Sequence, residues 1–463
     1  MQDRLQTYSP VDGSLFVERA LASEAEITAT LRNASAAQPG WSTTPLNNRI
    51  ELLQAMVDHF EGQRESIADE LSWQMGRPRS QSPYEVDGFA HRARTMLDLA
   101  PDALADLRPP AQAGFQRFVR REALGLVLCL APWNYPYLCA VNAIIPALAA
   151  GNVVLLKHSA QTPLCAERLV QSAHAAGLPP AVFQQLHCSH DQVARIIADP
   201  QVSFVSFTGS VEGGRAVQRA AAERFIATGL ELGGKDPAYV RADANLAHAT
   251  ENLVEGAFFN SGQSCCGVER IYVHKSRFKD FVEGFITQVQ AYRLGNPLEA
   301  ATNLGPMVRS SAADLVRRQV AAAVDQGARP LIAAQSFPAA CDEGPYLAPQ
   351  VLIDVDHNME LMREESFGPV VGIMAVKDDE QALALMNDSR YGLTASLWTR
   401  DQAAAIGLGE RLETGTVFLN RCDYLDPQLA WTGTKDSGRG CTLSSIGYES
   451  LTRPKSFHLR ELP

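Results

Sequence analysis

The sequence lacks the features that mark several protein classes. Its nine cysteines include no Cys-x-x-Cys pair and stand singly, apart from the adjacent Cys265 and Cys266. A zinc knuckle and a disulfide framework are therefore disfavoured, and no metal is expected. The pattern suits a reducing, cytoplasmic setting in which one cysteine is reactive and the others are small core residues. No clean run of about 18 apolar residues occurs. The most apolar stretch, 123–156, is broken by Pro132, Asn134, Pro136 and Pro146, so no membrane span is expected. The start, Met1-Gln2-Asp3-Arg4-Leu5-Gln6, is polar and carries no secretory apolar segment. Positive charge is in deficit, with 41 Lys and Arg against 52 Asp and Glu, a net charge of −11. Such a balance repels phosphate backbones and disfavours nucleic acid as a partner. Neither fixed-period repeats nor low-complexity segments are present.

What is present is an ordinary soluble composition, 46% hydrophobic and 20% charged, which excludes wholesale disorder, collagen and coiled coil. At 463 residues the chain is too long for one simple core; two large lobes or about three smaller ones are expected.

The first hundred residues read mostly as helix. Apolar residues Ile50, Leu53, Met56, Val57 and Phe60 recur at helical spacing within 47–76, with Gly76-Arg77-Pro78 as the stop. A second helix is predicted over 88–100, interrupted by Pro101. Residues 115–121 alternate weakly, like an edge strand or hairpin. From residue 124 short apolar strands alternate with helices. Strands are predicted over 124–130, 153–157, 182–186 and 202–207, with a helix over 162–176 closed by Gly177. A second such series follows: helix 246–259, strand 270–273, helix 277–292 and strand 370–376. This alternation argues for doubly wound parallel sheets in two α/β lobes, divided near Gly233-Gly234. The tail, 454–463, could pair as a strand.

Five local features could carry chemistry, each with a plainer alternative. Gly209-Ser210-Val211-Glu212-Gly213-Gly214 joins a strand to a helix, where backbone and helix N-terminus can meet a pyrophosphate; otherwise it is a tight turn. Lys157 ends a strand, where it can reach ribose or phosphate, or is a solvated surface lysine. Glu231, before Gly233-Gly234, suits a general base with a raised pKa, or a loop cap. Cys265, after Gly262-Gln263-Ser264, suits an activated thiolate, or a buried structural cysteine. Asn134, inside Pro132-Trp133-Asn134-Tyr135-Pro136, offers a fixed amide donor for an oxyanion, or an Asx turn.

In their chain order, Asn134, Lys157, Gly209, Glu231 and Cys265, and over nearly the whole chain, these features resemble the aldehyde dehydrogenase superfamily. The resemblance rests on the turn around Asn134, on Pro146-Ala147-Leu148-Ala149-Ala150-Gly151-Asn152, on Phe207-Thr208-Gly209-Ser210, and on Glu231-Leu232-Gly233-Gly234-Lys235. Gly262-Gln263-Ser264-Cys265, Glu364-Glu365-Ser366-Phe367-Gly368-Pro369 and Asn387-Asp388-Ser389-Arg390-Tyr391-Gly392-Leu393 complete it. It implies an α/β fold with a Rossmann-like cofactor domain (1–108 and 122–233), an α/β catalytic domain (234–448), and a small β extension for oligomerisation (109–121 and 449–463). It implies an NAD(P)-dependent, non-acylating dehydrogenase acting on a small aldehyde, in a dimer or dimer of dimers. Cys265 would be the nucleophile, in preference to Cys266, Asn134 with the Cys265 N–H the oxyanion donors, and Glu231 the base that activates water. Lys157, Ser210, Glu365 and Phe367 would contact NAD or NADP, with Trp133, Gly209, Gly214 and Leu232 on the same surface.

Two stretches depart from the family pattern. Lys157-His158-Ser159-Ala160 carries alanine where many relatives have a glutamate that repels a 2′-phosphate, so Ala160 implies tolerance of NADP. Near the C-terminus, Ala430-Trp431-Thr432-Gly433-Thr434-Lys435-Asp436-Ser437-Gly438 stands where the family often has proline, phenylalanine, glycine, glycine before a lysine, and the loop before it, Asn420-Arg421-Cys422-Asp423-Tyr424-Leu425-Asp426-Pro427, is unusually charged for a loop that often borders the substrate tunnel. Arg421 could receive a semialdehyde carboxylate, for example of succinic semialdehyde; Asp423 or Asp426 could instead receive an amine. The simpler expectation is that these charges pair with one another. Tyr135, Tyr424 and Trp431 could wall the tunnel or pack in a core. The rival functions are a CoA-acylating dehydrogenase, which generally lacks the base glutamate, a cysteine hydrolase, and a binding scaffold without chemistry.

Overall fold

Two mainly parallel sheets organise the chain in the computed structural model, which describes residues 4–461. Met1, Gln2, Asp3, Leu462 and Pro463, which belong to the predicted polar start and tail strand, lie outside the described residues.

The first sheet is built on Leu126–Ala131, a strand buried at every position, as expected where helices cover both faces of a parallel sheet. Val153–His158 and then Phe183–Gln185 pair on one side of it; Val202–Thr208 and then Ala227–Glu231 pair on the other. The chain order therefore reverses between Leu126–Ala131 and Val202–Thr208. At such a switch point the loops leaving the two carboxyl ends diverge and open a crevice. Those loops begin at Pro132 and Gly209.

The second sheet runs through Gln350–Ile353, Val370–Val376, Val268–His274, Asp236–Val240, Thr394–Trp398 and Thr416–Leu419, all parallel. Glu231 is the last residue of its strand in the first sheet, and Asp236 is the first of the next strand, in the second sheet. The four residues between them cross from one sheet to the other, so the crevice lies where the sheets meet. The third part is a ribbon. Phe115–Ala123 pairs antiparallel along its whole length with Thr452–Arg460, and Phe118 stacks on the opposite Phe457 at 4.5 Å between ring centroids. Cross-strand aromatic pairs of this kind fix register.

The predicted α/β strands and helices are found within a residue or two, or three at one end. Gly177 and Gly76 adopt left-handed conformations, at φ 86° and 80°, as helix stops. The N-terminal region differs from expectation. An antiparallel hairpin of Arg4–Tyr8 and Leu15–Ala20 precedes the helix Glu24–Thr43. The residues 47–76 form two helices, Leu46–Glu61 and Arg64–Met75, because the chain turns at Gly62-Gln63. The helix predicted over 88–100 extends over Pro83–Ala103 and accommodates Pro101 in its last turn, where few further bonds are forfeited.

Candidate active site

The turn that carries Asn134 leaves the carboxyl end of Leu126–Ala131 and enters the helix Pro136–Ala149. Pro136 suits this first helical position because its missing N–H would have no partner there. The next amides, of Tyr137 and Leu138, donate to Glu85 Oε1 at 2.9 and 3.0 Å. The other Glu85 oxygen pairs with Arg77, both side chains being buried. Arg77 also donates from Nη2 to the Asn134 carbonyl and from Nε to Asn260 Oδ1 at 3.2 Å. Its guanidinium lies over the Tyr135 ring, 4.7 Å from the centroid. Asn134 Nδ2 donates to the Gln263 carbonyl at 3.2 Å. This amide therefore bridges to the cysteine loop, 129 residues away, and does not close a local Asx turn.

That loop follows the helix Leu246–Phe258. Asn260, Ser261 and Gly262 lie successively in the left-handed region, at φ 51°, 56° and 70°. Gly262 is required, since a Cβ there would stand 2.2 Å from the Gly368 carbonyl oxygen. The strained pair is held by specific bonds: Asn260 Nδ2 to the Asn134 carbonyl at 3.2 Å, and Ser261 Oγ to the Gly305 carbonyl at 2.8 Å. Gln263 Oε1 accepts from the Val308 amide at 2.8 Å. The result presents Cys265, half-buried, to open space. Cys266 is turned inward and donates to Asp423 Oδ1 at 3.0 Å, which Ser264 Oγ also reaches at 2.8 Å. The Cys265 side chain beside it and then burial push the Cys266 thiol well above its ordinary range. Of the two cysteines, Cys265 alone is presented to both cavities.

Two cavities meet at this point, of about 570 and 330 Å³. Thr208, Glu231 and Cys265 line both. Burial raises the Glu231 pKa, and hydrogen bonds from Thr442 Oγ1 and Thr208 Oγ1 partly oppose that rise.

The smaller cavity is the crevice at the switch point. Trp133, Asn134, Gly209, Ser210, Leu232, Glu365 and Phe367 line it. Ser210 caps the helix Val211–Ala221 by accepting from the Gly213 amide. Gly214 does not line the crevice; a Cβ on it would come within 2.8 Å of Leu232 Cδ1, so it sets how closely that helix approaches. Phe367, at φ 50°, meets Trp133 edge-on at 5.6 Å. Its backbone is held by Glu269, whose carboxylate accepts from the Ser366 and Phe367 amides and pairs with buried Lys235. Glu365 accepts from the Gly234 amide at 3.0 Å. Burial, and next the nearby Glu269 carboxylate, push its pKa up to about 8. Lys157 and Ala160 stand one strand over, outside the lining of this cavity. Lys157 is half-buried, and burial lowers its pKa. Ala160 is exposed, and its carbonyl accepts from Thr7 of the N-terminal hairpin at 2.7 Å.

The larger cavity takes in Tyr135, Arg421, Tyr424 and Trp431. The charges of its loop do not pair with one another, contrary to the simpler expectation. Arg421 stacks on Tyr424, 3.4 Å from the ring centroid. Asp423 turns to Ser264 and Cys266, and Asp426 accepts from the Gln428 amide. Asp423 takes a left-handed backbone, φ 45°, where the loop bonds inward.

Sequence reasoning did not find Arg77, Glu85, Asn260, Glu269 or Thr442. The first four are charged or amide residues that the fold buries, and that burial shows only once the fold is known. Thr442 lies 211 residues from its partner Glu231 and carried none.

Residues 1–457 match the aldehyde dehydrogenase family. An NAD(P)+-linked succinate semialdehyde dehydrogenase of Escherichia coli (strain K12) is 34% identical over 422 residues, covering 91% of this chain and 90% of the relative. An NADP+-linked succinate-semialdehyde dehydrogenase of Mycobacterium avium (strain 104) is 32% identical over 459 residues, covering 98% and 96%. The NADP-dependent glyceraldehyde-3-phosphate dehydrogenase of Bacillus halodurans C-125, solved with NADP, matches at TM-score 0.93 and 30% identity, covering 99% of this chain and 96% of that one. PnpE, solved with nicotinamide adenine dinucleotide, matches at TM-score 0.94 and 30% identity, covering 99% and 94%. The likeness spans both sheets and every loop described above, and this chain belongs to the aldehyde dehydrogenase family.

Proposed function

We propose that this family member oxidises a short aldehyde bearing a distal carboxylate, of the succinic semialdehyde class, to the acid, with either NAD+ or NADP+ as acceptor. The observation that carries the reading is that Cys265 and Glu231, with Thr208, border both cavities. A thiol and a carboxyl there can act on one carbon, held between a substrate chamber and a cofactor crevice.

The crevice suits a nicotinamide cofactor. Its helix N-terminus offers amides to a pyrophosphate. Glu365 keeps acceptor capacity beyond its single bond from Gly234 for ribose hydroxyls. The Lys157 ammonium has no hydrogen-bond or ion-pair partner among the described residues and stands at the carboxyl end of its strand. When bound, the cofactor supplies the acceptor for a hydride. Ala160 places no carboxylate near the adenosine ribose, which fits use of NADP as well as NAD.

The chain's own residues do the rest. The Cys265 sulfur forms a bond to the carbonyl carbon, and the carbonyl π electrons move onto oxygen. Asn134 Nδ2 and the Cys265 amide donate to that oxyanion. Loss of the carbon's hydrogen with its electron pair restores the carbonyl as a thioester. Glu231 then takes a proton from water, the water oxygen bonds to carbon, and the carbon–sulfur bond breaks to release the acid and the Cys265 thiolate. Glu231 favours water over CoA as acceptor, and an intact Cys265–Glu231–Asn134 set argues against a scaffold without chemistry.

No helix of the described residues is long and apolar enough to cross a membrane. We place the enzyme in the cytoplasm, on the strength of its nine free cysteines, and as a homo-oligomer in which the 115–123 and 452–460 ribbon meets a second copy.

The test is absorbance of reduced nicotinamide with an aldehyde panel, NAD+ or NADP+ in parallel, beside a Cys265→Ala control. A signal that needs Cys265 and is largest with semialdehydes supports the reading. A single turnover without further cycles would favour an acyl acceptor other than water.

A further inference from the structure

The helix Pro83–Ala103 lays Tyr84, Gly88, His91 and Arg92 along the larger cavity. Their spacing of four, three and one puts all four on one face of the helix. Arg92 is the cation among them that the fold keeps out of water, at 9% exposure. A guanidinium so buried ordinarily faces a carboxylate, because a lone buried charge is costly. Arg92 takes part in no ion pair among the described residues. Its Nη1 is spent on backbone and amide oxygens, donating to the Leu138 carbonyl at 2.7 Å and to Asn142 Oδ1 at 3.4 Å. Those two contacts fix the plane of the group. Nε and Nη2 have no hydrogen-bond partner among the described residues. These two nitrogens form the side of a guanidinium that grips a carboxylate with two parallel bonds.

The acidic groups sharing the cavity take their hydrogen bonds elsewhere, while the Arg92 charge favours the ionised forms of Asp423 and Glu231 from a distance without pairing with either. Asp423 accepts from Ser264 and Cys266, and Glu231 accepts from Thr208 and Thr442. Glu255 is solvent-exposed. Arg421, the other arginine of the cavity, is exposed and stacked on Tyr424, so water already solvates its charge. A pre-oriented cation, mostly shielded by the fold and with a free two-nitrogen edge, in the chamber that ends at Cys265, is built for an anion brought by the substrate.

We infer that Arg92 is the specificity-determining residue of this enzyme, gripping the distal carboxylate of an ω-oxo acid through Nε and Nη2 while the aldehyde carbon rests at Cys265. The assignment rests on the proposed semialdehyde reading and adds the residue that enforces it. Arg421 is left to cover the mouth of the chamber.

The experiment compares succinic semialdehyde with butanal, which has the same carbon count and no carboxylate, on the wild-type holoenzyme and on Arg92→Gln, Arg92→Lys and Arg421→Gln. Loss of a desolvated charge-assisted pair costs a factor of about 30 to 100. Arg92→Gln should therefore lower the kcat/KM ratio of succinic semialdehyde to butanal by about that factor, chiefly through KM. Arg92→Lys should fall between the two, since an ammonium keeps the charge and loses the fork. Succinate binding to the free enzyme, read by calorimetry, should weaken in step. A wild-type enzyme with no preference for succinic semialdehyde over butanal overturns the semialdehyde reading and this assignment with it. A wild-type preference that survives Arg92→Gln, or that Arg421→Gln alone abolishes, overturns the assignment and leaves the reading standing. Equal loss on both aldehydes in Arg92→Gln shows a merely structural residue and overturns it likewise.

Discussion

Arg77 donates to the main-chain carbonyl of Asn134 while its other terminal nitrogen pairs with Glu85, so one buried guanidinium ties the Asn134 turn to the helix Pro83–Ala103. The same side chain reaches Asn260 at the head of the cysteine loop. The two parts of the site that must agree in position thus share one anchor. Removing one member of a buried pair typically costs about 3–5 kcal/mol, and Arg77→Ala is expected to lose that much in a denaturant melt. Its surviving folded fraction should show kcat reduced by about a hundredfold, the scale set by misplacing a reacting group by about an ångström. Arg77→Lys should keep the Glu85 pair and lose the two remaining contacts, giving a smaller loss of stability with much of the kcat defect. An Arg77→Ala enzyme with unchanged kcat would refute the anchoring role.

The hydroxyls of Thr208 and Thr442 on Glu231 make a pH prediction. Burial raises the Glu231 pKa, and both hydroxyls lower it by donating to the carboxylate. Thr442→Val removes one of those donors, so the pKa must climb further. The acid limb of the kcat–pH profile, where base activity is lost by protonation, should move to higher pH in Thr442→Val. Glu231→Gln should give a burst of about one reduced cofactor per site, then near-silence, because the thioester forms and is not hydrolysed. A limb that stays in place in Thr442→Val would show that another group sets it.

Much of this arrangement is legible in the sequence, for reasons that differ between parts. The strands around 126–131 and 202–208 read well because parallel strands buried on both faces must be apolar throughout. Cys265, Glu231 and Asn134 stand out because each lies in or just before a glycine- or proline-marked turn. The N-terminal hairpin reads poorly: Arg4–Tyr8 and Leu15–Ala20 are short and polar on one face, and their pairing is stated nowhere in the local pattern. Ser23 and Glu26 close the start of the following helix with a capping box. The supports of the site, Arg77 on Asn134, Glu269 on Phe367 and Thr442 on Glu231, are contacts across 57, 98 and 211 residues. No periodicity records such contacts. The family likeness points to the residues proposed to react, and only the fold reveals those that hold them.

Glu365 predicts how cofactor binding follows pH. Its pKa is pushed up to about 8 from an ordinary 4.5, so in the free enzyme at neutral pH it is largely protonated. Ribose hydroxyls donate more strongly to a carboxylate than to a carboxylic acid. The cofactor KM is therefore expected to fall as pH rises through about 8. Glu365→Gln should bind more weakly above that point and show a flat profile. The same shift works against the free protein: the folded state holds a proton that the unfolded state gives up between pH 4.5 and about 8, so stability falls as pH rises across that window. A cofactor KM independent of pH in the wild type would place the ribose elsewhere.

Ala160 predicts cofactor choice. The residue is exposed at the loop beyond Lys157, and its carbonyl is pinned by Thr7. The backbone is thus held while the side chain is free to vary. Restoring a carboxylate by Ala160→Glu would set a negative charge where the 2′-phosphate of NADP is proposed to sit, with Lys157 three residues away. Like charges at contact distance, together with the loss of a phosphate partner for Lys157, amount to about 1.4 kcal/mol or more, and each such step is tenfold. The variant should therefore raise the KM for NADP+ by at least about tenfold. Its KM for NAD+ should fall by a few-fold, because one new hydrogen bond to a ribose hydroxyl contributes about 1 kcal/mol. Lys157→Ala should weaken both cofactors, and NADP+ more, since the phosphate carries the extra charge. Initial rates with each cofactor at saturating aldehyde separate these outcomes. If Ala160→Glu moves both KM values in the same direction, the loop acts through its shape, and the 2′-phosphate must be recognised from another side of the crevice.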